Sequence, residues 1–215
     1  MIKIKLSKKQ TIYLLAALLV VAGAVAVWLI TRQDEKSRGA DSTNTVTYST
    51  NTPDENPVAE PYNWPGSASD PKYISLPTIN TAGYVQRVGV DQNKQVAVPN
   101  NINMAGWFTN SVVPGQKGLS IIDGHVSGRY HDAIFKNLIN LKSGDQFQVT
   151  LGSNKVLNYK VINIQSVSVV QSASVLFSQD PKVSSQLNLI TCGGNYDASQ
   201  QSFDHRVIIY SELVK

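Results

Sequence analysis

Residues 187–213 read LNLITCGGNYDASQQSFDHRVIIYSEL. Two apolar, β-branched runs, one ending at Cys192 and one starting at His205, flank a polar stretch that opens with two glycines. Runs of this composition, bounded by Gly, Asn, Asp and Ser, read as strands. The same texture reaches back to about residue 73. YISLPTI, GYVQRVGV, QVAVP and GLSIIDGHV are short apolar segments punctuated by Pro, Gly and Asn. DQFQVTLG alternates, with Phe147, Val149 and Leu151 on one side and Gln146, Gln148 and Thr150 on the other. That is the period of a half-buried strand. KVLNYKVINIQSVSV, at 155–169, is long and β-branched. Only IFKNLINL at 134–141 and SASVLFS at 172–178 look helical. About eight strands at short spacing, with little helix, predict a mainly β domain over 73–215, either a sandwich or a closed barrel.

Upstream the chain changes character twice. TIYLLAALLVVAGAVAVWLI, at 11–30, carries no charged residue. A helix of that length spans roughly the 30 Å hydrocarbon core of a bilayer. Lys3, Lys5, Lys8 and Lys9 precede it in the tail 1–10, whereas Asp34 and Glu35 dilute the basic residues that follow. This bias predicts a signal anchor with a cytoplasmic N-terminus and the rest of the chain outside the membrane. A cleaved signal peptide is the alternative, but the apolar run is long for one and lacks a polar break before a cleavage site. Residues 31–72 are rich in Ser, Thr, Asn, Asp and Pro and poor in aliphatics. They read as an extended, flexible linker. Tyr62 and Trp64 offer a second reading, a short arm docked on the domain.

Charge excludes one class of partner. The net charge of +4 is concentrated near the N-terminus, and from residue 73 onward 11 Lys and Arg face 8 Asp and Glu. With no basic stripe and no aromatic–basic interleaving, nucleic acid is not expected as a ligand.

Cys192 is the sole cysteine, so it forms no internal disulfide. In an exported chain such a thiol is buried and inert, paired with another chain, or reactive. His125 closes an apolar segment between Gly124 and Gly128, where a strand opens into a loop. His131 lies in the polar run GRYHD and reads as a solvated loop residue. His205 and Arg206 are neighbours on a predicted strand, so their side chains point to opposite faces. Arg206 interrupts an otherwise apolar run. Charged residues are seldom buried without a partner, so it reads either as a strand-end arginine reaching solvent or as a fixed cation at a cleft. A free thiol titrates near 8.5, and a nearby imidazole and guanidinium would favour its thiolate. Cys192, His125 and Arg206 are therefore a candidate acyl-transfer set, although spacing alone does not bring them together.

Three segments, AGWFTNSVVPGQKGLSIIDGHVSG, IFKNLINLKSGDQ and LNLITCGGNYDASQQSFDHRVIIYSEL, together resemble the sortases, in order and at compatible spacing over 73–215. The family's histidine after a glycine, its L-x-T-C strand end and the arginine opening its last strand fall on His125, Leu189 to Cys192, and Arg206. The AGWF, VVPG and TCGG stretches look most like the compact single-domain sortases grouped as class F. The resemblance implies a closed eight-stranded β-barrel with one or two short helices. It also implies a cysteine transpeptidase that cuts an LPxTG-like sorting signal between Thr and Gly through a Cys192 thioacyl intermediate. In that reading His125 moves protons, Arg206 stabilises the oxyanion, and Thr191 and Gly193 contact substrate. The partners would be surface proteins bearing the signal and a peptidoglycan-precursor amine, and no cofactor is implied.

Asn188 stands where the family often has Thr, which bears on packing or specificity. Asp70-Pro71-Lys72-Tyr73 partly echoes the lid motif of pilin-building sortases, but it lies against the first predicted strand and reads as the start of the domain. No acidic cluster matches the calcium site of some sortases. An L,D-transpeptidase-like enzyme is disfavoured, because the arginine follows the cysteine by 14 residues rather than two. A sortase-fold hydrolase and a non-catalytic envelope-binding β-domain with an idle cysteine are the remaining alternatives.

Overall fold

The computed structural model describes residues 49–50 and 52–214. The expected tail at 1–10, the anchor at 11–30 and residues 31–48 of the expected linker lie outside the described residues. Among the described residues no helix is long and apolar enough to cross a membrane.

Eight strands form a closed barrel: β1 (Pro71–Leu76), β2 (Thr81–Val88), β3 (Ala105–Phe108), β4 (Gly118–Gly124), β5 (Gln146–Leu151), β6 (Val156–Ser168), β7 (Ser185–Asp197) and β8 (Ser202–Leu213). Their order around the barrel is β1-β2-β3-β4-β7-β8-β6-β5. β2 and β3 run parallel, as do β4 and β7, and the other neighbours are antiparallel. One helix, α1 (Val169–Leu176), links β6 to β7.

Alternation along the strands builds two apolar layers. Phe147, Val149, Leu151, Tyr159, Leu187, Leu189, Val207 and Ile209 fill the barrel. The Phe147 and Tyr159 rings stack at 5.6 Å. Residues of the opposite parity, with Ile121, Ile208 and Tyr210 among them, join Phe108 and Leu176 in a second cluster on the outside. There α1 covers the sheet, and Tyr210 donates its hydroxyl to Val175 O at 2.9 Å.

Asn188 belongs to this layer and is fully buried. Its amide donates to Leu176 O at 2.7 Å, and Gln186 donates to its carbonyl at 2.8 Å. The departure from Thr thus serves packing: a side chain with donor and acceptor ties the end of α1 to β7.

Three expectations change. The helix expected over 134–141 is a chain of turns with a short 3₁₀ segment, Leu138–Asn140. Its backbone bonds close three residues apart, as in Leu138 N to Phe135 O and Leu141 N to Leu138 O. Phe135, Leu138 and Leu141 are all buried, and spacing by three suits the tighter 3₁₀ coil. The strand expected at 95–99 is reduced to one isolated bridge between Val90 and Val96. Residues 52–70, expected as flexible linker, lie along the barrel: Trp64 Nε1 donates to Val85 O at 2.8 Å, and Tyr62 packs on Tyr84 at 4.8 Å. Asp70 ends this arm as a buried anchor, paired with Arg87 at 2.9 Å directly before β1.

Candidate active site

Strand register puts Cys192 and Arg206 face to face. On the antiparallel β7–β8 pair they are direct partners, with Thr191 opposite Val207. Val207 points into the barrel and Ile208 out of it. Cys192 and Arg206 therefore share the outer face, close to α1. His205 takes the other side, where its ring sits 2.7 Å from Asp204. Among the described residues no carboxylate forms a salt bridge with Arg206, whose Nη1 donates to Phe203 O at 3.0 Å and His205 O at 2.8 Å.

β4 brings His125 to the same end of the sheet. β4 runs parallel to β7 with Asp123 beside Ile190. One step further, the Thr191 hydroxyl donates to Gly124 O at 2.7 Å. His125 and Cys192 each follow a member of that bonded pair. Thr191 was expected to contact substrate; its proton is already given to Gly124, and the bond ties together the two strands that carry His125 and Cys192. The His125 ring is half-buried, with Nε2 2.7 Å from Pro99 O. A carbonyl only accepts, so Nε2 carries hydrogen and Nδ1 is the nitrogen left to exchange a proton.

A cavity of about 300 Å³ opens here, lined by Cys192, Thr191 and Gly193 on β7, Val126 and Ser127 after β4, and Phe203 on β8. The glycines have a reason beyond room for a ligand. A Cβ on Gly193 would lie 2.8 Å from Val207 Cγ2. Gly194 has φ +78°, and a Cβ there would lie 2.0 Å from Asp204 Oδ1. Both are needed for β7 to bulge against β8.

The charges favour a neutral resting site. Burial pushes the Cys192 thiol up; Arg206 pulls it down, and Asp123 adds to the rise. Burial pushes His125 down, partly offset by its bond to Pro99. Asp123 itself is 4% exposed, and neither carboxyl oxygen has a hydrogen-bond partner among the described residues. Burial holds its pKa well above the ordinary range. Such a group adds stability below the unfolded carboxyl value, about 4, and that contribution is lost as pH rises toward the folded value. Asp123→Asn is thus expected to raise the unfolding midpoint, by roughly 2–4 °C for each kcal/mol relieved. The gain should be larger at pH 8 than at pH 5. Thermal melts of both proteins across that range check this, and a pH-independent difference would refute it.

Sequence reasoning did not single out Asp123, although one acid inside SIIDG was a visible signal. It also missed Pro99, which acts through its carbonyl and so leaves no side-chain pattern to read.

A family model described as a sortase domain matches residues 74–214. Among solved structures, sortase A from Corynebacterium diphtheriae, in a lid mutant, is 25% identical with a TM-score of 0.50, covering 66% of this chain and 69% of that one. Sortase C-1 from Actinomyces oris is also 25% identical with a TM-score of 0.50, over 68% of this chain and 75% of the other. Sortase C1 from Streptococcus agalactiae, at 22% identity and a TM-score of 0.51 over 68% of each chain, shares the fold. No curated protein matches the chain significantly.

Proposed function

The chain belongs to the sortase family of cysteine transpeptidases, and on that premise we propose that it cuts an LPxTG-like sorting signal between Thr and Gly and joins the freed acyl group to a cell-wall amine. The observation that carries this reading is the cross-strand pairing of Cys192, which lines the cavity, with Arg206. The class F grouping belongs to the same proposal. So do anchoring through residues 11–30 and an extracytoplasmic catalytic domain, which rest on the apolar run and its basic flank.

The Cys192 thiolate attacks the Thr carbonyl carbon, and the C–S bond forms as the carbonyl π electrons move to oxygen. Arg206 bears a fixed positive charge beside that oxyanion. The tetrahedral species collapses and the C–N bond breaks. The Gly nitrogen takes a proton from His125 Nδ1 and leaves as an amine. The thioester is then attacked by the acceptor amine, which returns a proton to His125 as the C–S bond breaks. Acylation starts from the thiolate and the imidazolium, and deacylation starts from the thioester and neutral imidazole and restores both, so dividing one acyl transfer into two relies on the same pair twice.

The neutral resting pair sets the pH response. The thiolate–imidazolium form holds as many protons as the thiol–imidazole form, so its population is flat between the two titrations. The rate should follow a broad bell, with its acid limb below the ordinary imidazole range and its alkaline limb above the ordinary thiol range, since His125 is lowered and Cys192 raised. Initial rates from pH 5 to 10 check this; a single rising limb would contradict it.

The deciding test mixes the protein with LPxTG-type peptides, with and without a glycine-based amine, and follows intact mass. A thioacyl adduct that resolves into a joined peptide supports the transpeptidase. An adduct resolved only by water favours the hydrolase. No adduct, with a thiol that resists alkylation, favours the envelope-binding domain.

A further inference from the structure

The segment ahead of the barrel makes its densest polar contacts next to His125. Glu55 Oε1 accepts from Arg129 N at 2.5 Å, and Oε2 accepts from Tyr130 N at 3.0 Å and His131 N at 3.1 Å. Three successive backbone donors of the loop that follows His125 thus converge on one carboxylate. The fit is close: a Cβ on Gly128 would lie 2.5 Å from Glu55 Cδ. Burial of the carboxylate opposes its charge, but the three donors and His131 outweigh it and keep the group below its ordinary range.

The neighbours of Glu55 hold a second loop, the one bonded to the imidazole. Asp54 N donates to Asn100 O at 2.7 Å, and Ile102 N donates to Asp54 O at 2.9 Å. Asn101 and Asn103 each donate a side-chain amide to Asn56 O at 3.0 Å. This second loop, 99–103, carries the Pro99 carbonyl that receives His125 Nε2. Residues 54–56 are therefore a short strap across two loops. One sets where the His125 backbone leaves β4, and the other sets which way its ring turns.

We propose that Glu55 is a positioning residue for His125, clamping the 128–131 loop to the Pro99 loop so that Nδ1 stays aimed at the reacting nitrogen. This rests on the transpeptidase reading for its kinetic consequence, but the ring orientation it predicts does not. A misplacement near 1 Å can cost a catalytic group up to about a hundredfold. Glu55 acts one loop removed, so a smaller effect of about tenfold follows. Cys192 lies on β7 and is not held by the strap.

The test uses the whole chain with Glu55→Ala and Glu55→Asp. In Glu55→Ala, kcat is expected to fall about tenfold while KM changes less than twofold, with the rate of Cys192 alkylation unchanged. The His125 Nε2–H proton, protected by Pro99 in the parent, should broaden or vanish in nitrogen-edited NMR spectra. Glu55→Asp, which retains the anion, should recover part of both. Unchanged kcat with an unchanged ring-proton signal would overturn the proposal. So would a fall in kcat matched by an equal fall in alkylation and in folded fraction, which marks general destabilisation. If the parent itself shows no transpeptidation, the functional reading fails, and the ring-proton signal alone still decides the role of Glu55.

Discussion

Arg206→Lys is expected to keep the barrel, keep a reactive thiol and lose about 10²–10³ in kcat/KM, the usual cost of one misaligned oxyanion donor. The reason lies in the guanidinium fork. Its Nη1 is fixed by the carbonyls of Phe203 and His205, and the residue is the register partner of Cys192. A lysine has a single charged nitrogen and cannot both hold those carbonyls and face the oxyanion. The charge survives, however, and it is charge that draws the thiol pKa downward at this site. Alkylation of Arg206→Lys should therefore stay near the parent rate, whereas Arg206→Ala should slow both alkylation and turnover. Steady-state kinetics beside an alkylation time course separate the two roles. A lysine variant within about fivefold of parent turnover would remove oxyanion binding from Arg206.

Cys192→Ala is expected to leave no measurable turnover. The chain has no other thiol to accept the acyl group, so residual activity through a substitute nucleophile is not available. The side chain is half-buried on the outer face, outside both apolar clusters. Its truncation should shift stability by less than about 1 kcal/mol. Intact mass should show no adduct with any peptide, while peptide binding persists. A folded alanine variant that still joined peptides would end the covalent mechanism.

β4, β7 and β8 were legible from their apolar runs, at one end of which His125, Cys192 and Arg206 each stand; the strand ends were not, since β7 runs on past Cys192 to Asp197 and β8 starts at Ser202, before Arg206. The inward row Phe147, Val149 and Leu151 was legible for the same reason, since strand parity alone assigns it. Closure of the barrel was not. It depends on the pairs β1–β5 and β4–β7, which join segments far apart in sequence. Residues 134–141 misled because Phe135, Leu138 and Leu141 satisfy a 3₁₀ spacing as well as one helical face. The strap was invisible because its bonds go to backbone groups, and a polar Pro-rich stretch offers no apolar period to read. Asn188 was read as a departure in the cysteine motif, and only the position of α1 explains it.

The barrel order also constrains how the molecule assembles. β7 and β8, the last two strands in chain order, close the gap between β4 and β6. Until those strands dock, the growing chain is an open sheet with two unpaired edges, the kind of species that invites intermolecular pairing. Bonds such as Thr191 to Gly124 span 67 residues, a separation that slows closure. Cys192 and Arg206 arrive on the same closing hairpin. A chain that has not finished folding thus lacks the Cys192–Arg206 pairing, which forms together with the final topological step.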